Sequence, residues 1–214
     1  MSKAAIIVGV VAIVLTIVGL MGPWWTLNLQ ATALGNTITS SYQFGPFGYT
    51  TAVQAPGISQ SNQSDYRGDP NLGGVFTTGF LLSVIAMICG IGMIGLVAMS
   101  GARPTFRRLG AIVGILGFVF ALVAALYVMT GIPGAATADA SGGGITISGF
   151  WGSQTISVLG ISTAITWGAG WAWYLLLVAA VAFLVGGVLS LRAPKAAPTA
   201  LLTGSPPAMP PPSP

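Results

Sequence analysis

A four-helix membrane bundle carrying a small extracellular antiparallel β-sheet is the fold class this sequence predicts. Three observations predict it. The 214 residues are 54% hydrophobic and only 5% charged, against about 25% charged in ordinary soluble domains. Four uncharged apolar runs are long enough to cross a bilayer, which takes about 20 helical residues. Between the first two runs the pattern changes from continuous to alternating apolarity, the period of a strand.

The first run, Ala4–Met21, follows Lys3. Leu20-Met21-Gly22 is a poor small-x-small cleavage site, so the run reads as a retained helix rather than a leader. Pro23 ends it, because the proline ring cannot continue the hydrogen-bond ladder. Trp24 and Trp25 then fall at headgroup level, where an indole is apolar on its body and wet at its N–H.

A hairpin is expected next, over 26–34 and 37–44. Leu27, Leu29, Ala31 and Ala33 alternate with polar residues, and so do Ile38, Ser40, Tyr42 and Phe44. With Gly35-Asn36 as a two-residue loop, Ala33 opposes Ile38, Ala31 opposes Ser40, Leu29 opposes Tyr42 and Leu27 opposes Phe44. All these pairs share one face, and a one-residue slip would break the arrangement. An isolated hairpin is marginal in water. The stretches 144–151 and 154–159 offer one or two further strands.

The remaining spans read as Val75–Met99, Leu109–Met129 and Trp171–Leu191. Lys3, Arg103, Arg107, Arg108, Arg192 and Lys195 flank one side of the four spans. Asp65, Arg67, Asp69 and Asp139 fall on the other. This positive-inside pattern puts both termini and the loop 100–108 in the cytoplasm, and the segments 22–74 and 130–170 outside the plasma membrane. Residues 1–192 thus form a four-span membrane domain. Residues 193–214 form a proline-rich cytoplasmic tail of disordered or polyproline II character, suited to docking along a partner.

Candidate functional residues are few. The six tryptophans, Trp24, Trp25, Trp151, Trp167, Trp171 and Trp173, all fall on the outer side. They read as an interfacial belt or, more sharply, as a platform for a lipid, pigment, quinone or partner helix. Gly90, Gly92 and Gly95 punctuate the second span, and Gly110, Gly114 and Gly117 the third. Ala182 and Gly186 add a small-xxx-small step in the fourth. Such residues let helices approach closely, within the bundle or against a neighbouring subunit. Asp65, Asp69 and Asn71 are a weak Ca²⁺ candidate, without EF-hand spacing. Arg67-Gly68-Asp69 matches an adhesion tripeptide, and Asn62-Gln63-Ser64 is a glycosylation sequon with Asn62 as the acceptor.

Catalysis is not expected. There is no His and no Glu, and general acid–base chemistry needs a group of tunable pKa. The spans contain no Asp, Glu, Lys or Arg, which argues against ion or proton transport. The lone Cys89 allows no intramolecular disulfide and no cysteine metal cluster. No metal and no cofactor is expected, although a bound lipid is compatible with the tryptophans. A net charge of +4 that follows membrane topology does not point to nucleic acid. The expected partners are other integral membrane subunits, a second copy of the chain and lipid.

Four helices with cytoplasmic ends, an opening Pro23-Trp24-Trp25 and the strands 26–34 and 37–44 resemble the claudin-like tetraspan superfamily. That resemblance implies a left-handed four-helix bundle with a small external antiparallel sheet, and a self-associating or adhesive role for the sheet. The family's Gly-Leu-Trp motif and paired cysteines are absent here; Phe44–Tyr49 is a distant counterpart of the former. A paracellular barrier or channel role therefore does not carry over. The first expectation is a non-catalytic structural or accessory subunit of a larger membrane complex. Claudin-like self-association and lipid, pigment or quinone binding are the alternatives.

Overall fold

The computed structural model describes residues 3–33, 36–100, 105–140, 146–158 and 161–192. Its helices are α1 (Lys3–Met21), α2 (Pro70–Met99), α3 (Thr105–Asp139) and α4 (Trp171–Leu191). Its strands are β1 (Trp25–Ala33), β2 (Asn36–Gly45), β3 (Gly48–Ala55), β4 (Ile58–Ser64), β5 (Gly152–Val158) and β6 (Ile161–Ala169). All four helices are long and apolar enough to cross a membrane, as a multi-pass membrane protein requires. They run alternately up and down, and each packs on its neighbours in the order α1, α2, α3, α4 and back to α1.

Small residues bring the helices together. Ala12, Ala86, Ala121 and Ala180 are buried around Phe183, and Ala5 is buried beside Met93 and Val97. Leu, Ile and Val face outward over most of each helix. That inversion of the soluble pattern suits lipid, which competes for large apolar side chains as well as a protein core does. Thr16 and Ser83 are buried and donate to the carbonyls of Ala12 and Gly79 four residues back, which satisfies their hydroxyls in hydrocarbon.

Two helices are longer than the sequence suggests. α2 starts at Pro70 rather than Val75, and α3 covers 35 residues to Asp139 rather than ending at Met129. At 1.5 Å per residue α3 spans about 52 Å, well beyond a hydrocarbon core of about 30 Å. Pro133 lies inside it and removes one donor from the ladder. The helix continues because Ile132 and Ala136, on either side, are buried in the core. The apolar run thus marks the part of the helix within hydrocarbon, not the end of the helix.

The strands form one antiparallel sheet of order β4-β3-β2-β1-β6-β5. β1 leaves α1 directly and β6 enters α4 directly, so the middle of the sheet is fastened to two adjacent helices. The Gly170 N–H donates to Trp24 O at 2.9 Å, and the Ala172 N–H to Pro23 O at 3.2 Å. A side chain at Gly170 would meet the Pro23 carbonyl.

The predicted hairpin is present, but its register is two residues away from the expected one. Ala31 faces Ile38, Leu29 faces Ser40, Leu27 faces Tyr42, Trp25 faces Phe44 and Ala33 faces Asn36. A shift of two keeps every side chain on its face, so alternation alone cannot detect it. The observed register adds a Trp25–Phe44 ring contact, with centroids 5.3 Å apart. The loop falls on residues 34 and 35, outside the described residues.

Of the two further strand stretches, 154–159 coincides with β5. Residues 146–151 form no strand; Ile147 and Phe150 instead turn into the core. β3, β4 and β6 complete the sheet. Pro56-Gly57 links β3 to β4, with Gly57 at φ +76°, the turn geometry that Pro followed by Gly favours. Gly48 has φ +139°, and a side chain there would strike the Ser64 carbonyl.

Candidate functional site

The inner face of the sheet meets the ends of α2 and α3, and this junction gathers most of the aromatic residues. Trp24 is fully buried, and its indole N–H donates to Gly19 O at 2.7 Å. It thereby satisfies a carbonyl in the last turn of α1 that has no helical partner. Trp25 donates to Phe150 O at 3.0 Å, Trp167 to Gly149 O at 2.8 Å and Trp173 to Ala125 O at 2.9 Å. All four indoles are core braces with occupied N–H groups. Trp24, Trp25, Trp167 and Trp173 are therefore packed inside the protein and not open as a platform. Only Trp151 and Trp171, at 51% and 54% exposure, present a surface. The Trp151 ring stands edge-on to Trp173.

Between β1–β3 and the two helix ends lies a cavity of about 210 Å³. Trp25, Tyr42, Phe44 and Tyr49 wall it from the sheet, Leu72, Ala136 and Ile147 from below, and Asp69 and Asp139 stand in its lining. It is smaller than the roughly 300–1,000 Å³ of pockets for drug-sized ligands, and far too small for a pigment macrocycle.

The two carboxylates come from different segments. Asp139, at the end of α3, caps α2. It accepts from the Asn71 amide at 2.6 Å, from the Leu72 N–H at 2.9 Å and from the Asn71 N–H at 3.3 Å. A carboxylate there suits the positive end of the α2 dipole. Asp69 precedes α2 and shares the cavity lining with Tyr49. Burial, and then the charge of Asp139, push its carboxyl above the usual range. Beside the cavity, Tyr66 donates to Gly45 O at 2.6 Å. Burial holds its phenol far above the ordinary value.

The weak Ca²⁺ trio does not converge. Asp65 pairs with Arg67 at 3.1 Å on the surface, Asn71 is spent on Asp139, and Asp69 faces the cavity. Among the described residues no three His, Cys, Asp or Glu side chains gather as metal ligands. Within Arg67-Gly68-Asp69 the arginine is engaged by Asp65 and the aspartate is partly buried. Asn62 is exposed in the middle of β4. The acidic partner that matters, Asp139, is 70 residues from Asp69 in sequence, so no local motif could reveal the pair.

The glycines divide by face. A side chain at Gly90 would meet Phe183. At Gly114 it would meet Met93 Sδ at 2.6 Å and Gly187 Cα at 2.8 Å, and at Gly110 it would meet Val97 at 3.1 Å. Gly117 faces Ala86 and Cys89, and Gly186 faces Met93. These five are packing residues inside the bundle, with Ala182 partly buried beside them. Gly92 and Gly95 are exposed on α2, and nothing lies within 4 Å of a side chain placed at Gly95. The proline-rich tail, 193–214, lies outside the described residues. Compared with models of known protein families and with curated proteins, the chain matches none of them.

Proposed function

We propose that this protein is a non-catalytic structural subunit of a membrane assembly, which holds neighbouring subunits through the rim of its sheet. The observation that carries this reading is β4. None of the strand residues is charged, and all but the last residue of β4 are exposed. Soluble sheets blunt such rims with Lys, Pro or a covering element, because an open edge is a template for another strand. Among the described residues none of these protects β4. The two-residue loop makes Ala55 and Ile58 a hydrogen-bonded pair. Counting along the register, Ser59, Ser61 and Gln63 then direct their N–H and C=O groups away from β3.

The neighbour this edge suits best is a second copy. Two antiparallel β4 strands related by a two-fold axis at Ser61 pair Ser61 with itself, Ser59 with Gln63, and Gln60 with Asn62. Each pair is uncharged and able to hydrogen-bond, and the contact is self-complementary, as a two-fold interface must be. The claudin-like resemblance of the sequence points the same way. The accessory-subunit reading has a different neighbour at the same edge, a strand from another membrane protein. In both, the basic flanks of the spans face the cytoplasm and the sheet faces outward.

Ser61→Cys in a Cys89→Ala background tests this. A membrane-impermeant maleimide is expected to reach position 61 in intact cells, and oxidation of native membranes to yield a disulfide-linked band at twice the chain mass. A bismaleimide adduct to a different protein would favour the accessory reading. If position 61 labels freely and cross-links to nothing, the rim is not an interface and the proposal fails.

A further inference from the structure

The cavity under the sheet carries an inference that does not depend on assembly. Its upper wall is a continuous aromatic surface. Trp25 and Phe44 have centroids 5.3 Å apart, Phe44 and Tyr49 5.3 Å, and Tyr42 lies 6.3 Å from Phe44 and 6.5 Å from Tyr49. On the helix side stand two carboxylates, Asp69 and Asp139. Among the described residues no Lys or Arg lines the cavity, and the nearest basic side chain in sequence, Arg67, is turned to Asp65. The α2 N-terminus offers Asp139 only about half a unit charge. Two carboxylates thus share the cavity lining with aromatic rings, and no cationic side chain among the described residues of the lining balances them.

This combination selects its occupant. An anion is repelled. A neutral apolar molecule would strip water from two carboxylates and return nothing to them. A hard divalent cation wants six to eight oxygen ligands, and aromatic rings supply none. A weakly hydrated organic cation satisfies both surfaces, because its charge attracts ring faces and carboxylates together. We propose that the cavity binds a small alkylammonium cation, its methylated head against Trp25, Tyr42 and Tyr49 and its charge balanced by Asp69 and Asp139. About 210 Å³ accommodates a trimethylammonium head with a short stem. Such a head occurs on free solutes such as choline and on phosphocholine lipids, and the cavity lies at the bundle end of the sheet, within reach of either.

The test uses the full chain in a maltoside detergent, which carries no ammonium group. Choline is titrated against its neutral isostere 3,3-dimethylbutan-1-ol, with tryptophan emission and the thermal midpoint as readouts. Choline is expected to saturate and to bind at least about tenfold more tightly than the isostere. Asp69→Asn and Tyr42→Leu are each expected to weaken choline binding about tenfold. If Asp69→Asn does not fold, Tyr42→Leu, which leaves both carboxylates in place, carries the test. Nanodiscs separate the sources. If phosphatidylcholine discs abolish the choline response and phosphatidylglycerol discs preserve it, the ligand is the lipid headgroup. If the response is equal in both, the ligand is the free cation. Equal affinity for choline and its isostere, no saturable response to either, or variants that bind choline as the wild type does would overturn the proposal.

Discussion

Gly114 shows at the smallest scale how little room the bundle leaves. A methyl group there would press on Met93 and on the backbone of Gly187, and the backbone cannot move without separating α3 from α4. Gly114→Val is therefore expected to cost on the order of 1–3 kcal/mol, read as a lower thermal midpoint in detergent. Gly95→Ala, with open space around it, is expected to be neutral to within about 0.5 kcal/mol. Equal effects of the two would refute the packing assignment. The sequence shows both glycines in the same kind of pattern. Only the helix faces separate them, and a helix apolar on every side does not reveal its faces. Asp69 makes a second prediction at this scale. Its folded pKa is raised, so the folded chain holds this proton at a pH where the unfolded chain has released it. The stability this contributes is full below the ordinary aspartate pKa and is lost as pH rises through the raised value. As pH rises from the ordinary aspartate value through the raised one, Asp69→Asn should gain thermal stability relative to the wild type. A constant gap between the two melting curves would remove the physical basis assigned to Asp69.

Single elements differ in how far their sequences announce them. β1 and β2 alternate in sequence, but burial follows that alternation only at the end near the bundle, where Trp25 and Phe44 are buried, while Ile38 at the far end is exposed. β6 alternates too, through Ile161, Thr163, Ile165 and Trp167, but its tryptophan also suits a membrane interface and hides the strand. β4 shows no alternation, because both of its faces are exposed and polar; the Pro56-Gly57 turn before it is the one local sign. The edge geometry of β4 yields a sharp prediction. Ser61 directs its N–H outward, so Ser61→Pro removes no bond to β3 and should fold while losing the association proposed for β4. Gln60 donates toward β3, so Gln60→Pro should destabilise the β3–β4 hairpin itself. Circular dichroism and native mass, read together, distinguish the two. An unfolded Ser61→Pro variant would show that the outward and inward groups have been assigned the wrong way round.

At the scale of the whole molecule, the four spans were legible because hydrocarbon imposes one requirement, apolarity over a set length, on each of them. The pairing of the sheet with the bundle was not legible. It depends on contacts such as Trp25 with Phe150 and Asp139 with Leu72, between residues far apart in sequence and individually unremarkable. Among the described residues, the junction of the central strands with α1 and α4 is equally tight. Residues 22–24 and Gly170 are the only chain between the central strands and α1 and α4, and they are stitched to each other. A force on the rim of the sheet would therefore travel through the ladder of strands into two adjacent membrane helices with no slack to absorb it. The central strands and these two helices form one bracket. A neighbour at the rim, as proposed, would be held at one height and one angle relative to α1 and α4.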